Sequence, residues 1–133
     1  MLLTAIAATG AIGLVLRSRQ GKVRTTTSTT SLHAELATLG QVPGERATLL
    51  QFSSAFCAPC RATRRTLADV AGMVEGVAHV EVDAEQHLDL VRRLGILKTP
   101  TTLVLDQYGT EVKRASGQPR KADVLAALGV ALP

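Results

Sequence analysis

Phe52-Ser53-Ser54-Ala55-Phe56-Cys57-Ala58-Pro59-Cys60-Arg61 is the stretch that decides the fold of this chain. Just before it, Ala47 to Ser53 reads ATLLQFS, a short apolar run suited to a buried strand. After it, Leu67, Val70, Ala71 and Val74 recur on one face of a helix. The two cysteines therefore stand where a predicted strand gives way to a predicted helix. At a helix N-terminus, unpaired N–H groups and the helix dipole favour an anion. Thiolate is the reactive form of cysteine, so this position activates Cys57. Cys60 lies one helical turn later, close enough to attack a mixed disulfide on Cys57 and release its partner. Pro59 suits the first turn because its missing N–H costs nothing there.

Three other readings of the pair stand beside dithiol chemistry. A structural disulfide closing so short a loop would contribute only about 2 kcal/mol. A zinc half-site would need a second Cys pair, and His79 and His87 lack finger spacing. The third is coincidence. These are the only cysteines of the chain, and the strand-to-helix setting favours dithiol redox chemistry.

The pattern extends outward in both directions. Leu32, Leu36 and Leu39 predict an amphipathic helix ending at Gly40. Val77 to Val82 alternates as a strand, and His87, Leu90, Val91 and Leu94 share a helix face stopped by Gly95. Thr101 to Leu105 and Thr110 to Ala115 form a hairpin around Gln107-Tyr108-Gly109. Pro119 stands near the start of a last helix, with Val124, Leu125 and Leu128 facing inward. The order α, β, α, β, α, β, β, α predicts an α/β fold with a central mixed sheet and helices on both faces.

Leu2 to Leu16 carries no charge and reads as an apolar N-terminal anchor over residues 1–16. As a helix it would reach roughly 23 Å against a hydrocarbon core of about 30 Å, so it would span a thinned bilayer. A secretory signal needs positive charge ahead of its apolar run. Here Arg17, Arg19, Lys22 and Arg24 follow it, which places the rest of the chain on the cytoplasmic side. Residues 17–30 are basic and rich in Thr and Ser and read as a tether, although KVRTTT could instead form a short edge strand. Residues 31–133 are the expected folded domain.

The formal charge of +4 comes from that basic stretch alone, since without its four residues 11 basic face 11 acidic side chains. A nucleic-acid-binding face is thereby excluded from the domain. Phe52, Phe56 and Tyr108 are the only aromatics, which argues against base stacking. Asp83, Glu85 and Asp89 read as a solvated turn and helix start rather than a metal cluster, and no metal is expected. Arg61, Arg64 and Arg65 read as a solvated helix face.

Over roughly residues 31–133 the sequence resembles the thioredoxin family. The resemblance is carried by FSSAFCAPCR, by VEVDA at 80–84, by Thr99-Pro100-Thr101-Thr102, and by Ser116-Gly117 before the last helix. It implies that Cys57 is the nucleophile and Cys60 the resolving thiol. It implies a cis Pro100 that brings the Thr99 backbone against Cys57, where a client peptide would pair in an extended form. Phe56, Ala58, Pro59, Thr99, Pro100 and Gly117 would line the client groove. Gln51 stands where the family commonly has a buried Asp that assists proton transfer at the resolving cysteine; Gln cannot do that, though it could hold a water. His79 stands where the family often has a Lys, and could carry a proton or simply be hydrogen-bonded in place. Ser53 and Phe56 replace two tryptophans, which leaves a smaller apolar rim.

The resemblance implies a thiol–disulfide oxidoreductase with no cofactor beyond a redox-active Cys57–Cys60 disulfide, and the uncharged run Leu2–Leu16 would tether it to a membrane. Ala58-Pro59 is closer to the reducing members of the family, so clients would be disulfide-containing proteins. Without a flavin motif, electrons would come from a separate reductase. Two rivals are an extracytoplasmic protein of cytochrome maturation or disulfide repair, and a non-enzymatic adaptor with a vestigial dithiol.

Overall fold

The computed structural model describes residues 10–16, 21–25 and 31–133. The central strand β2 (Ala47–Ser53) is buried at every position, including its polar residues Thr48, Gln51 and Ser53. It lies between β3 (Val77–Asp83), which is parallel to it, and β4 (Thr101–Asp106), which is antiparallel. β4 continues antiparallel to β5 (Glu111–Ser116), and β1 (Val23–Thr25) pairs antiparallel with β5 at the edge. The strand order is β1-β5-β4-β2-β3, a mixed sheet.

Alternation along β2 divides the core in two. Leu50 and Phe52 join Leu32, Leu36, Val80, Val82 and Leu90, so α1 (His33–Thr38) and α3 (Leu88–Leu94) cover one face. Leu49 joins Leu67, Val70, Val104, Val124 and Leu128, so α2 (Ala58–Met73) and α4 (Lys121–Ala131) cover the other. The predicted α/β layering is present. α3 ends on Gly95 in the left-handed conformation, as the sequence suggests. His87 differs from its expected place on an apolar helix face. Its backbone is not helical, and it is the N-cap of α3.

Residues 23–25 are the short edge strand that KVRTTT allows, so the sheet begins upstream of Ser31. Gly21 fixes the entry to it, donating its N–H to Ser116 O at 2.7 Å. Its φ is +75°, and a Cβ there would lie 2.1 Å from Gln118 O, so only glycine fits. Of the expected anchor, residues 10–16 are helical, while 1–9 lie outside the described residues, as do 17–20 and 26–30 of the tether. Among the described residues no helix is long and apolar enough to cross a membrane.

Candidate functional site

β2 delivers the chain to the cysteines through Ser54, Ala55 and Phe56. Phe56 takes a left-handed backbone, φ 55°, which is uncommon outside glycine, and its side chain is fully exposed. Cys57 is the N-cap of α2, and its Sγ accepts the N–H of Cys60 at 3.2 Å. That donor and the dipole of a 16-residue helix are the groups that would favour a thiolate at Cys57. Pro59 sits in the first turn, exposed like Ala58. The sulfurs of Cys57 and Cys60 are joined in a disulfide, with Cα atoms 5.1 Å apart. Cys57 is half-buried, whereas Cys60 is only 1% exposed. Only Cys57 is open to an incoming partner.

Two further loops meet this one at the same end of the sheet. The Thr99–Pro100 peptide bond is cis. Thr99 Oγ1 and Ser54 Oγ share a hydrogen bond at 2.6 Å, which ties the Pro100 loop to the redox loop. Gly117 has φ +92° and donates its N–H to Pro100 O at 2.7 Å. The residues named for the groove, Phe56, Ala58, Pro59, Thr99, Pro100 and Gly117, thus lie on three connected loops. Leu97 on the Pro100 loop is 95% exposed and adds an apolar side chain that the sequence did not single out.

Beneath the cysteines lies a polar layer on the α2 face of the sheet. Gln51 is fully buried, and its amide nitrogen donates to Cys60 O and to Ser53 Oγ, both at 2.9 Å. Its Oε1 faces His79 Nε2 at 2.9 Å. A carbonyl can only accept, so the contact with Cys60 O fixes which end of the amide is nitrogen. Gln51 Oε1 must then accept, and His79 carries its proton on Nε2. Burial pushes the His79 pKa below the ordinary histidine value; Glu81 opposes this and Arg64 adds to it. Gln51 is thus held by protein groups on both ends of its amide.

The layer continues to residues absent from the sequence-based site. Ser53 has received one hydrogen bond from Gln51 and gives its own proton to Glu81 Oε2 at 3.1 Å. Arg64 clasps Glu81 from α2, its Nε 3.0 and 2.9 Å from the two carboxylate oxygens. Arg64 is therefore an ion-pair partner rather than merely part of a solvated face. The available signal was the alternation VAHVEVD, which puts His79 and Glu81 on one face of β3. Ser53, Ser54, Ala55, Arg64, Glu81 and Asp83 line a cleft of about 310 Å³ that opens beside the redox loop. Among the described residues no group of His, Cys, Asp and Glu is arranged to hold a metal.

Comparison with known proteins agrees with this arrangement. A thioredoxin from Mycoplasma pneumoniae is 31% identical over 77 residues, 58% of this chain and 74% of that protein. One from Mycoplasma genitalium is 29% identical over the same extent. Among solved structures, Thioredoxin NaTrxh from Nicotiana alata superposes with a TM-score of 0.61 at 19% identity, covering 81% of this chain and 99% of its own. Fasciola hepatica thioredoxin gives 0.60 at 22% identity, covering 74% and 92%. These two likenesses establish a common fold. The thioredoxin family model matches residues 25–129, and the chain belongs to the thioredoxin family.

Proposed function

We propose that this protein is a thiol–disulfide oxidoreductase that reduces disulfides in client proteins. The observation that carries the reading is the unequal exposure of its dithiol, with Cys57 open at a helix N-terminus and Cys60 buried one turn behind. Cys57 thiolate attacks one sulfur of a client disulfide. A Cys57–client bond forms, the client S–S bond breaks, and the second client sulfur leaves as thiolate and takes a proton. Cys60 then loses its proton and attacks Cys57 Sγ. The Cys57–Cys60 bond forms and the first client sulfur departs. The client gains two electrons, and the protein is left oxidised for a separate reductase to restore.

Cys60→Ser should accumulate mixed disulfides with clients, and Cys57→Ser should not. Full disulfide reduction by both variants would overturn the mechanism.

Membrane attachment through residues 1–16, with the domain on the cytoplasmic side, is part of the same proposal. It is supported by the uncharged run Leu2–Leu16 and by the four basic residues that follow it. Alkaline phosphatase fused after Pro133 should be inactive. Activity there would place the domain outside the cytoplasm, where cytochrome maturation or disulfide repair would be the natural task.

A further inference from the structure

Resolution by Cys60 requires that a buried thiol give up a proton, and the residue on β2 beneath it, Gln51, is an amide that cannot take one. The carboxylate hydrogen-bonded into the polar layer is that of Glu81 on β3. One nitrogen, Gln51 Nε2, binds both Cys60 O and Ser53 Oγ, so the Ser53 hydroxyl lies within two hydrogen-bond lengths of the Cys60 backbone. That hydroxyl points its proton at Glu81. The Glu81 side chain is 30% exposed and borders a cleft with ample room for water, bounded also by the hydroxyls of Ser53 and Ser54.

We propose that Glu81 accepts the proton of the resolving cysteine, acting through Ser53 and water in this cleft, so that a carboxylate on β3 does the work for which β2 supplies only an amide. Glu81 is a positioning residue, since it reaches Cys60 only through others. The inference rests on the dithiol mechanism above. In the resolving step the Cys60 S–H proton passes by way of the cleft to a Glu81 oxygen while Cys60 Sγ bonds to Cys57. The client sulfur leaves with the electron pair of the broken bond, and the proton on Glu81 returns to solvent through the cleft.

The charged groups around Glu81 fit this role. From α2, Arg64 holds the carboxylate in place. From β3, Asp83 lines the cleft, and His79 stands on the other side of Gln51. β2 contributes only the neutral Gln51 and Ser53. α4 also packs on α2, and its Asp123 is engaged with Arg120. His79 cannot take the proton at Nε2, because that nitrogen donates to Gln51.

The test follows the reaction of reduced protein with a chromogenic aryl disulfide. The first coloured thiol reports attack by Cys57 and the second reports resolution by Cys60. In the wild type the second phase should depend only weakly on pH across the neutral range. Glu81→Gln preserves shape and can still accept from Arg64 and Ser53. Its second phase should slow tenfold or more near pH 6, within the range of general-base effects. It should then rise about tenfold per pH unit, as the thiolate fraction of an ordinary cysteine does. Ser53→Ala should reproduce that profile and Glu81→Asp should restore the wild-type one. A Glu81→Gln profile that superimposes on the wild type overturns the proposal while leaving the dithiol mechanism intact. A second phase that survives in Cys60→Ser would instead overturn the mechanism on which it rests.

Discussion

His79 gives its Nε2 proton to the Oε1 atom of Gln51 at 2.9 Å, and the two side chains lock each other in one orientation. Protonating His79 would place a charge in a half-buried layer, and burial is the main reason its pKa is held down. Between that lowered value and the ordinary one near 6.5, the unfolded chain binds more protons than the folded one. Stability therefore rises with pH through this window and is lost as pH falls below about 6.5. Urea midpoints measured between pH 7 and 5, above the main carboxylate range, should fall on acidification. His79→Asn should flatten that slope. An equal slope in both proteins would show that His79 is not the group responsible.

Gln51 holds three partners at once, so its loss strands several buried groups. Gln51→Leu is close in volume but leaves Cys60 O and the His79 N–H without their hydrogen bonds. Each stranded group costs about 1–3 kcal/mol. The unfolding midpoint should drop by an amount equivalent to about 2 kcal/mol or more with an unchanged denaturant slope. A loss below about 0.5 kcal/mol would mean that the layer is not a structural element.

The Ser54–Thr99 hydrogen bond joins the redox loop to the Pro100 loop across 45 positions of sequence. Ser54→Ala and Thr99→Val should each destabilise, and the double variant should cost less than their sum. The expected coupling is about 0.5–1.5 kcal/mol. Additive effects would show that the two loops are held together by other contacts.

Phe56 contributes nothing to the core, because its ring lies wholly in solvent. Phe56→Ala should change stability by no more than about 0.5 kcal/mol. Its kcat/KM toward a protein disulfide should fall several-fold, while a small aryl disulfide is reduced at the wild-type rate. Equal losses on both substrates would remove Phe56 from the client surface.

Gly21 seats β1 on β5 at a position where a Cβ would collide with the backbone of Gln118. Gly21→Ala should therefore release β1 from the sheet edge. Limited proteolysis should cut within residues 17–30 faster in the variant, with the rest of the domain retained. Unchanged cleavage would mean that β1 tolerates the substitution.

The strand-to-helix placement of the cysteines was legible because it rests on short-range patterns: an apolar run, two cysteines one turn apart, and a helical stripe after them. Thr99-Pro100 and Gly117 were legible by resemblance, and the hydrogen bonds that join them, Ser54 with Thr99 and Gly117 N–H to Pro100 O, are tertiary. Arg64 and Glu81 escaped because each looks ordinary where it stands, and Ser53 was legible only as a small residue at the groove rim. An Arg on a helix and a Glu on an alternating strand both suggest solvent. What pairs them is the packing of α2 over β3, which brings together residues 17 positions apart. Glu111 escaped although its partner is only three positions away on the same strand. It is a carboxylate inside β5, 3% exposed and neutralised by Arg114.

The seating of Gly21 against Ser116 also fixes geography. Ser116 adjoins Gly117, whose N–H holds Pro100, so the chain upstream of β1 leaves the sheet at the end that carries the dithiol. From Leu16 to Gly21 the backbone can extend roughly 18 Å at most. With residues 2–16 seated in a bilayer as proposed, the redox end would work on a short leash, facing lipid rather than open solution. Its clientele would then be selected first by proximity, from disulfides within about a domain's width of the membrane, and only second by the narrow apolar rim of the groove.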